Sequence, residues 1–490
     1  MVLVLAARPC GQWETLMEAP LSLQRVMAFE AENDPGEFVL SRWRVPMWSV
    51  VRSYVAGALY DSIAGTNFQK KGGQRTRPGA GYFFRTWAGR HGASPANQPI
   101  DVVYIATGGG NIYRADEGRH FNWITDYCAQ AIDARSQVVE LSKGWAYARP
   151  RAHPDVSTHH DWIALQAQLA ARRATLPDAQ RRSIEHYIDR LRAAFGDTLG
   201  PSHYAYMQRA LQVSARGAAA WHAGYHRFFE QRRPRLLQVN AASYGGTWAY
   251  VVRWARAAGI PVAEFQHGYI GRDHYAYNYA PALHGSEFAQ GLPDYLLTFG
   301  QYWADSIDTP SQTIVIGSPR MSESLSAVQA QPAEPYVLVA STGVGPEFYL
   351  EVVQRLLGVL GPGACIRFRP HPGERHVAAA NYAALLVDAR VSLDTEPDVY
   401  RSIAGAGLVV GDITTLMFEA IGLGVPTRVI DCDIARKRMP ASIFTFLDYD
   451  EVPSLLARRG AATAVDPALQ HQVWAPGWRA RYREFVGRFL

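Results

Sequence analysis

Leu408-Val-Val-Gly-Asp-Ile-Thr-Thr-Leu-Met-Phe-Glu-Ala420 reads as a buried strand, a tight turn carrying two hydroxyls, and the start of a helix. The helical part, Thr414 to Leu423, holds Leu416, Phe418, Ala420 and Ile421 and stops at Gly422 and Gly424 before Pro426, a glycine-then-proline ending. Outward from this stretch the pattern repeats. Short β-rich runs at Tyr336 to Ala340, Cys365 to Arg369, Leu408 to Val410 and Thr427 to Ile430 alternate with helix-length segments, which predicts a parallel sheet covered by helices. Free backbone amides and the helix dipole make the turn after such a strand an anion site, to which Thr414 and Thr415 add hydroxyl donors.

The N-terminal half shows the same grammar at Val102 to Ala106, Leu236 to Asn240 and Pro261 to Phe265. Residues 156–230 are expected to be helices inserted into or packed on that domain, with Ile184, Tyr187, Ile188, Leu191 and Phe195 on one face. In the first hundred residues, Gly72, Gly73, Gly79 and Gly81 with Arg75, Arg77 and Pro78 suggest a mobile loop. A boundary is expected near Gly285 to Pro293. The division is then 1–288 for an N-terminal acceptor-binding Rossmann-like domain, 289–473 for a C-terminal nucleotide-binding one, and 474–490 for a helix crossing back. That helix carries Trp478, Tyr482, Phe485, Val486 and Phe489 at helical spacing.

Size agrees with two domains: 490 residues exceed what one core of roughly 250 to 300 residues holds. With 48% hydrophobic and 19% charged residues, the chain buries enough apolar surface to order itself. No run reaches the roughly 18 to 20 apolar residues of a membrane-spanning helix, and the opening Met1 to Ala7 stretch lacks a basic leader, so a cytoplasmic location is expected, with possible peripheral contact at the inner face of the inner membrane. Cys10, Cys128, Cys365 and Cys432 form no Cys-x-x-Cys pair and are expected to be buried core thiols. A net charge of +5 with the Arg232, Arg233, Arg235 cluster suits an anionic lipid surface or an acidic glycan. Nucleic acid is not expected, because no dense basic stripe or recognisable module is present.

Two histidine loops carry candidate chemistry. In Arg367-Phe-Arg-Pro-His-Pro-Gly-Glu374 a basic strand end runs into His371 between Pro370 and Pro372; the prolines fix the backbone of a residue suited to donate a hydrogen bond to a phosphate or departing nucleotide oxygen. Glu419, one turn into its helix, is placed to reach a ribose. In Val262-Ala-Glu-Phe-Gln-His-Gly-Tyr-Ile-Gly271 a strand empties into His267 beside Gly268. A histidine near its unperturbed pKa of ~6.5 suits a general base, and Arg272-Asp-His-Tyr-Ala-Tyr-Asn-Tyr279 offers rings for stacking on a sugar.

Together these elements resemble bacterial surface-polysaccharide transferases of the capsule, O-antigen and teichoic-acid kind: capsule Kdo transferases, CDP-glycerol glycerophosphotransferases and bacterial sialyltransferases with a His-Pro motif. Tyr295-Leu-Leu-Thr-Phe-Gly-Gln-Tyr-Trp303 and Ile314-Val-Ile-Gly-Ser-Pro319 look like the first strands of their donor domain, and the resemblance covers roughly residues 236 to 430. It implies a GT-B fold, with two Rossmann-type domains facing a central cleft and extra helices in the first. His267 becomes the implied base, and Gln266, Gly268, Tyr269, Asn240 and His274 the acceptor side. Arg369, His371, Thr414, Thr415, Glu419, Ser341 and Gly317 are the implied donor side.

Two departures bear on the transferred group: Gln266 stands where the glycerophosphotransferases carry Trp, and a Thr pair replaces Ser-Ser. Asp116-Glu-Gly118 resembles the acidic triplet of the sialyltransferases, which makes Asp116 and Glu117 rival bases. Thr107-Gly-Gly-Gly-Asn111 lacks a P-loop ending and is expected to line the acceptor site. The implied reaction moves a sugar from a nucleotide-activated donor, CMP-Kdo or another CMP-ulosonic acid first, to a glycan or lipid-linked oligosaccharide. It uses no metal and no cofactor beyond the donor as substrate. A polyol-phosphate transferase, a UDP- or GDP-sugar transferase, a sugar-nucleotide epimerase and a non-catalytic glycan-binding or export-assembly protein are the alternatives.

Overall fold

The computed structural model describes residues 19–34, 36–40, 43–63, 78–107, 112–114, 118–327, 336–343, 345–457 and 465–490. These fall into two compact α/β units, one made of residues 19–298, 303–319 and 477–490 and the other of 299–302 and 320–476.

The first unit is built on a seven-stranded sheet. Its strands run in the spatial order Gln312–Val315, Tyr295–Thr298, Val262–Phe265, Leu236–Val239, Val102–Thr107, Ser136–Leu141, Val156–Ser157, all parallel. Counted along the chain this is 3-2-1-4-5 with two further strands added beyond the fifth, the doubly wound Rossmann arrangement. Leu236–Val239 and Val262–Phe265 are buried throughout, as parallel strands covered on both faces must be. The connection from the third strand to the fourth holds His159–Arg173, Asp178–Phe195 and Pro201–Arg232. Ile184, Tyr187, Ile188, Leu191 and Phe195 of the middle helix enter the main core. Helix Trp478–Gly487 belongs to this unit, where the Tyr482 hydroxyl lies 2.9 Å from that of Tyr104.

The first hundred residues supply helices Ala19–Glu32 and Met47–Ile63. Between them Glu30 and Arg52 form a buried ion pair, Nε to Oε1 2.5 Å. Arg52 also donates to the carbonyls of Asn278 (2.8 Å) and Tyr275, and Glu30 accepts from the Ala280 amide (3.1 Å). The 275–280 segment is therefore clamped by residues more than two hundred positions upstream. Gly72, Gly73, Arg75 and Arg77 of the expected loop lie outside the described residues; Pro78 and Gly79 lead directly into helix Ala80–Ala88, of which Gly81 is part.

The second unit carries a five-stranded parallel sheet in the order Val391–Leu393, Cys365–Arg369, Tyr336–Ala340, Ala406–Gly411, Thr427–Val429. In chain order this is again 3-2-1-4-5. Its core gathers Val337, Val339, Tyr349, Phe368, Leu408 and Val410.

Three expectations need correction. Tyr295–Thr298 and Gln312–Val315 do not open the second domain. Tyr295 and Leu297 pair with Ala263 and Phe265 in the first sheet. The glycine-rich 285–293 connection is a packed crossover: Phe288 and Leu292 are buried, and a Cβ at Gly291 would stand 3.1 Å from that of Ala249. Apart from 299–302, the second unit runs from 320, and residues 289–298 and 303–319 belong to the first. Of the cysteines, Cys128 is buried, Cys432 half-buried and Cys365 exposed at the start of its strand; Cys10 lies outside the described residues. Among the described residues no helix is long and apolar enough to cross a membrane.

Candidate functional site

Ligands of doubly wound sheets bind beyond the carboxyl ends of the strands where the order reverses, which in the second unit is between Tyr336–Ala340 and Ala406–Gly411. Ala340 pairs with Arg369 on one side and Gly411 on the other, so Ser341, His371 and Asp412 leave the sheet along one edge. A web of hydrogen bonds ties these turns together. The Thr342 hydroxyl donates to Asp412 Oδ2 (2.6 Å), as does the Tyr349 hydroxyl (3.1 Å), which itself accepts from the Thr342 amide (2.8 Å). Ser341 Oγ accepts from the Gly343 amide (2.9 Å) and lies 3.3 Å from the Tyr382 hydroxyl, which donates to Glu374 (3.1 Å). A Cβ at Gly411 would meet Met417 Sδ at 2.9 Å and Thr414 Cγ2 at 3.1 Å, so the 414–417 turn packs closely on the end of this strand. Burial pushes the Asp412 carboxyl up to about 6 against the pull of its donors.

His371 is buried in this edge. Its Nδ1 accepts from the Gly373 amide (3.1 Å), which assigns the proton of the neutral ring to Nε2. Burial, and then the Arg375 cation, hold it below the ordinary histidine value, so it is a neutral donor at physiological pH. Of the paired hydroxyls, Thr414 accepts from the Leu416 amide (3.3 Å), while Thr415 is exposed ahead of the seven-residue helix Leu416–Gly422. Glu419, raised by burial, accepts from the Tyr400 hydroxyl at 3.5 Å.

Two expected donor residues serve elsewhere. Arg369 Nη1 donates to Asp394 Oδ2 (2.6 Å), Ser402 Oγ (2.8 Å) and the Glu396 carbonyl (3.0 Å), which makes it a buried clamp on the 394–402 segment. Gly317, at φ +96°, belongs to the first unit, its amide on the Thr298 carbonyl at 3.2 Å.

In the first unit the 262–271 stretch folds as a strand and a closed turn, with Gln266 Nε2 donating to the Gly268 carbonyl (2.9 Å). His267 is half-buried, and its Nδ1 has no hydrogen-bond partner among the described residues. Burial lowers it to about 3, which corrects the expectation of an unperturbed histidine, since desolvation penalises the imidazolium. His274, lowered by burial to about 4, accepts the Ala276 amide on Nδ1 (3.2 Å) and reaches the Tyr244 hydroxyl through Nε2 (3.1 Å). Tyr269 donates to Asp273 (3.0 Å), and buried Asn240 hangs by its amide from the Ile105 carbonyl (2.9 Å). Tyr277 and Tyr279 are fully buried, with hydroxyls on Glu264 (2.7 Å) and the Ser243 carbonyl (2.9 Å). They are core residues and not a sugar platform. Asp116, Glu117 and the glycine run at 108–111 lie outside the described residues.

Sequence reasoning missed Glu264. It is fully buried and accepts from the Ser243 amide (2.7 Å), the Ser243 hydroxyl (2.6 Å) and Tyr277, and burial pushes its carboxyl up to about 7. An acidic residue inside an otherwise apolar strand was the available signal. Between its ordinary 4.5 and about 7 the folded chain keeps a proton that the unfolded chain gives up. The stability it contributes is therefore complete below about 4.5 and falls as pH rises through about 7, by on the order of 3 kcal/mol. Glu264→Gln lacks this slope. Its melting temperature is expected to gain on wild type by several degrees between about pH 5 and pH 8; a constant difference would show that Glu264 does not hold the proton.

A cavity of about 730 Å³ lined by His222, His226, Arg233, Arg235, Trp254 and Phe489, among others, opens elsewhere in the first unit. It adjoins Pro261, Arg235 and thus the amino ends of the strands, opposite the edge where the candidate residues emerge.

No family model and no curated protein matches the sequence. Similar solved structures include a UDP-GlcNAc 2-epimerase from Neisseria meningitidis bound to UDP-GlcNAc (12% identity, 79% of this chain and 99% of that one, TM-score 0.39). Others are the calicheamicin glycosyltransferase CalG4 (12%, 80% and 98%, 0.41) and a ugt transferase from Siraitia grosvenorii in complex with UDP (11%, 80% and 99%, 0.42). At these scores the likenesses carry no weight for function, which rests on the residues of the chain itself.

Proposed function

We propose that this chain is a nucleotide-sugar-dependent glycosyltransferase of GT-B type, whose second unit holds the activated donor and whose first unit engages a glycan or lipid-linked oligosaccharide. One observation carries the reading: three adjacent strand ends deliver Ser341–Thr342, His371 and Asp412–Thr415 to the point where the strand order of a parallel sheet reverses. His371 Nε2–H and the hydroxyls of Thr414 and Thr415 are donors for a phosphate, and developing charge on a departing nucleotide oxygen is stabilised by donors already fixed in place. Asp412 acts through Thr342 and Tyr349 as a positioning residue for the two turns.

On the acceptor side His267 is the candidate base, with Gln266, Gly268, Tyr269 and His274 in its loop and Asn240 at the end of the neighbouring strand Leu236–Val239. A base at about 3 is a weak proton acceptor, so its part is to accept a hydrogen bond from the acceptor hydroxyl and orient it. Within this reading a CMP-linked ulosonic acid such as CMP-Kdo is the favoured donor and a bacterial surface polysaccharide the acceptor, with work at the inner face of the inner membrane.

The test is incubation of the purified chain with CMP-, CDP-, UDP- and GDP-activated sugars and candidate acceptors, followed by mass spectrometry of released nucleotide. Release from the CMP-linked donors is expected. Release from a UDP or GDP sugar alone would overturn the donor choice while keeping the transferase, and epimerised sugar without transfer would replace it with an epimerase. Nucleotide binding without turnover of any donor would leave a non-catalytic glycan-binding or export-assembly protein.

A further inference from the structure

Helix Ala80–Ala88 is fixed on one face and bare on the other. Tyr82 and Thr86, one turn apart, are buried. The Tyr82 hydroxyl donates to Asp161 Oδ2 (3.3 Å), the Thr86 hydroxyl meets that of Tyr147 (2.9 Å), and Thr158 donates to the Thr86 carbonyl (2.7 Å). The opposite face presents Phe83, Phe84 and Trp87, exposed by 44%, 65% and 47%. Three large rings held in water on nine residues of helix are a standing cost of the hydrophobic effect that folding has not relieved.

Along the chain the charge flanking them has one sign. Between Asp61 and Asp101 the sequence contains no acidic residue, while Lys70, Lys71, Arg75, Arg77, Arg85 and Arg90 all fall there. The first four lie outside the described residues and form no part of the surface. Arg85 is exposed on the same helix, and Arg90 packs over the Trp87 ring at 4.9 Å. Phenylalanine and tryptophan beside arginine, with the Asp161 carboxylate buried under Tyr82 on the other face, match the headgroup level of a bilayer, where rings enter the acyl boundary and guanidinium groups meet lipid phosphates.

We propose that the Phe83, Phe84 and Trp87 face of this helix, with Arg85 and Arg90, is a docking surface for a bilayer rich in anionic phospholipid. The surface stands independently of the transferase reading, and gives the membrane contact in that reading a location. A lipid-linked substrate would then be met by a protein already resting on the leaflet that contains it.

The test is co-sedimentation of the full chain, without donor or acceptor, with vesicles of phosphatidylcholine alone and of phosphatidylcholine mixed with phosphatidylglycerol. Binding to the mixed vesicles that weakens with added salt is expected. Phe84→Glu/Trp87→Glu, two exposed positions whose unchanged circular dichroism confirms the fold, is expected to weaken it on the order of tenfold or more, and Arg85→Glu to weaken it less. Absence of binding to mixed vesicles, equal binding to both vesicle types, or binding indifferent to Phe84→Glu/Trp87→Glu would overturn the proposal. So would a concentration-dependent dimer in solution that this variant dissolves, because a second copy would then cover the face. Donor turnover is measured separately, so loss of either activity leaves the other standing.

Discussion

Arg52→Met is expected to destabilise the first unit by about 3–5 kcal/mol, the usual cost of stranding a buried charge. Glu30 is fully buried and would keep only the Trp48 indole (2.8 Å) and the Ala280 amide (3.1 Å) as donors. The carbonyls of Asn278 and Tyr275 would lose the guanidinium that gathers them, and the stack of Arg52 over Tyr279, 4.1 Å to the ring centroid, would go with it. Thermal unfolding would show a melting temperature lowered by roughly 10 °C. Removing both charges in Glu30→Leu/Arg52→Met is expected to recover part of that loss, because the solvation cost of the two ions disappears together. A single variant within 1 °C of wild type would mean that water reaches the pair. The effect extends to function, since the loosened 275–280 segment directly follows the His267 loop and contains Tyr277, one of the donors to Glu264.

His371→Ala is expected to lower turnover of the preferred donor by about 10²–10³-fold, the range found when one preorganised hydrogen-bond donor to a developing oxyanion is deleted. Because that interaction strengthens in the transition state, kcat falls more than KM changes. The fold should tolerate the change, as the ring's hydrogen bond is the local one to the Gly373 amide. The pH profile separates a neutral donor from an imidazolium. With its pKa held below the ordinary histidine value, His371 stays neutral as pH rises through 6.5, and kcat is expected to be level there; an acid whose proton is needed would show kcat falling as pH passed its pKa. A His371→Ala variant that keeps full turnover would remove the second-unit edge from the chemistry.

Much of this architecture is legible in the sequence, for a definable reason. Strands buried on both faces are mostly apolar, and Tyr336–Ala340 and Leu408–Val410, apolar without interruption, announce themselves in that way. Ser136–Leu141 does not, because its Gln137 and Glu140 are polar. Both are buried only because partners meet them in space: Asp155 accepts from Gln137 at 3.0 Å, and Arg151 stands 3.2 Å from Glu140. The 285–293 connection hides its packing for the same reason. Glycine at 285 and 291 suggests a linker, whereas Gly291 is there because Ala249 leaves no room for a side chain. In the candidate site, the histidines and hydroxyls could be found by type and spacing. Their electrostatics could not, since the lowered His267 and the raised Glu264 and Asp412 follow from burial that no local pattern encodes. Likewise Arg369 looks like a phosphate ligand until Asp394 is seen beside it.

The hydrogen bond between Tyr104 and Tyr482 spans 378 positions of chain, and Tyr482 also donates to buried Gln238 at 2.9 Å. A ribosome delivering about 5–20 residues per second therefore leaves roughly 20–75 s between the two tyrosines. Throughout that interval the central strand of the first sheet waits for its covering helix while the entire second unit is made. The nascent first unit is thus born with an open side, its polar atoms still facing solvent and its rings Tyr295 and Phe485 not yet joined. The burden on the cell's folding machinery comes from the order in which the fold is delivered, and would persist however stable the finished protein became.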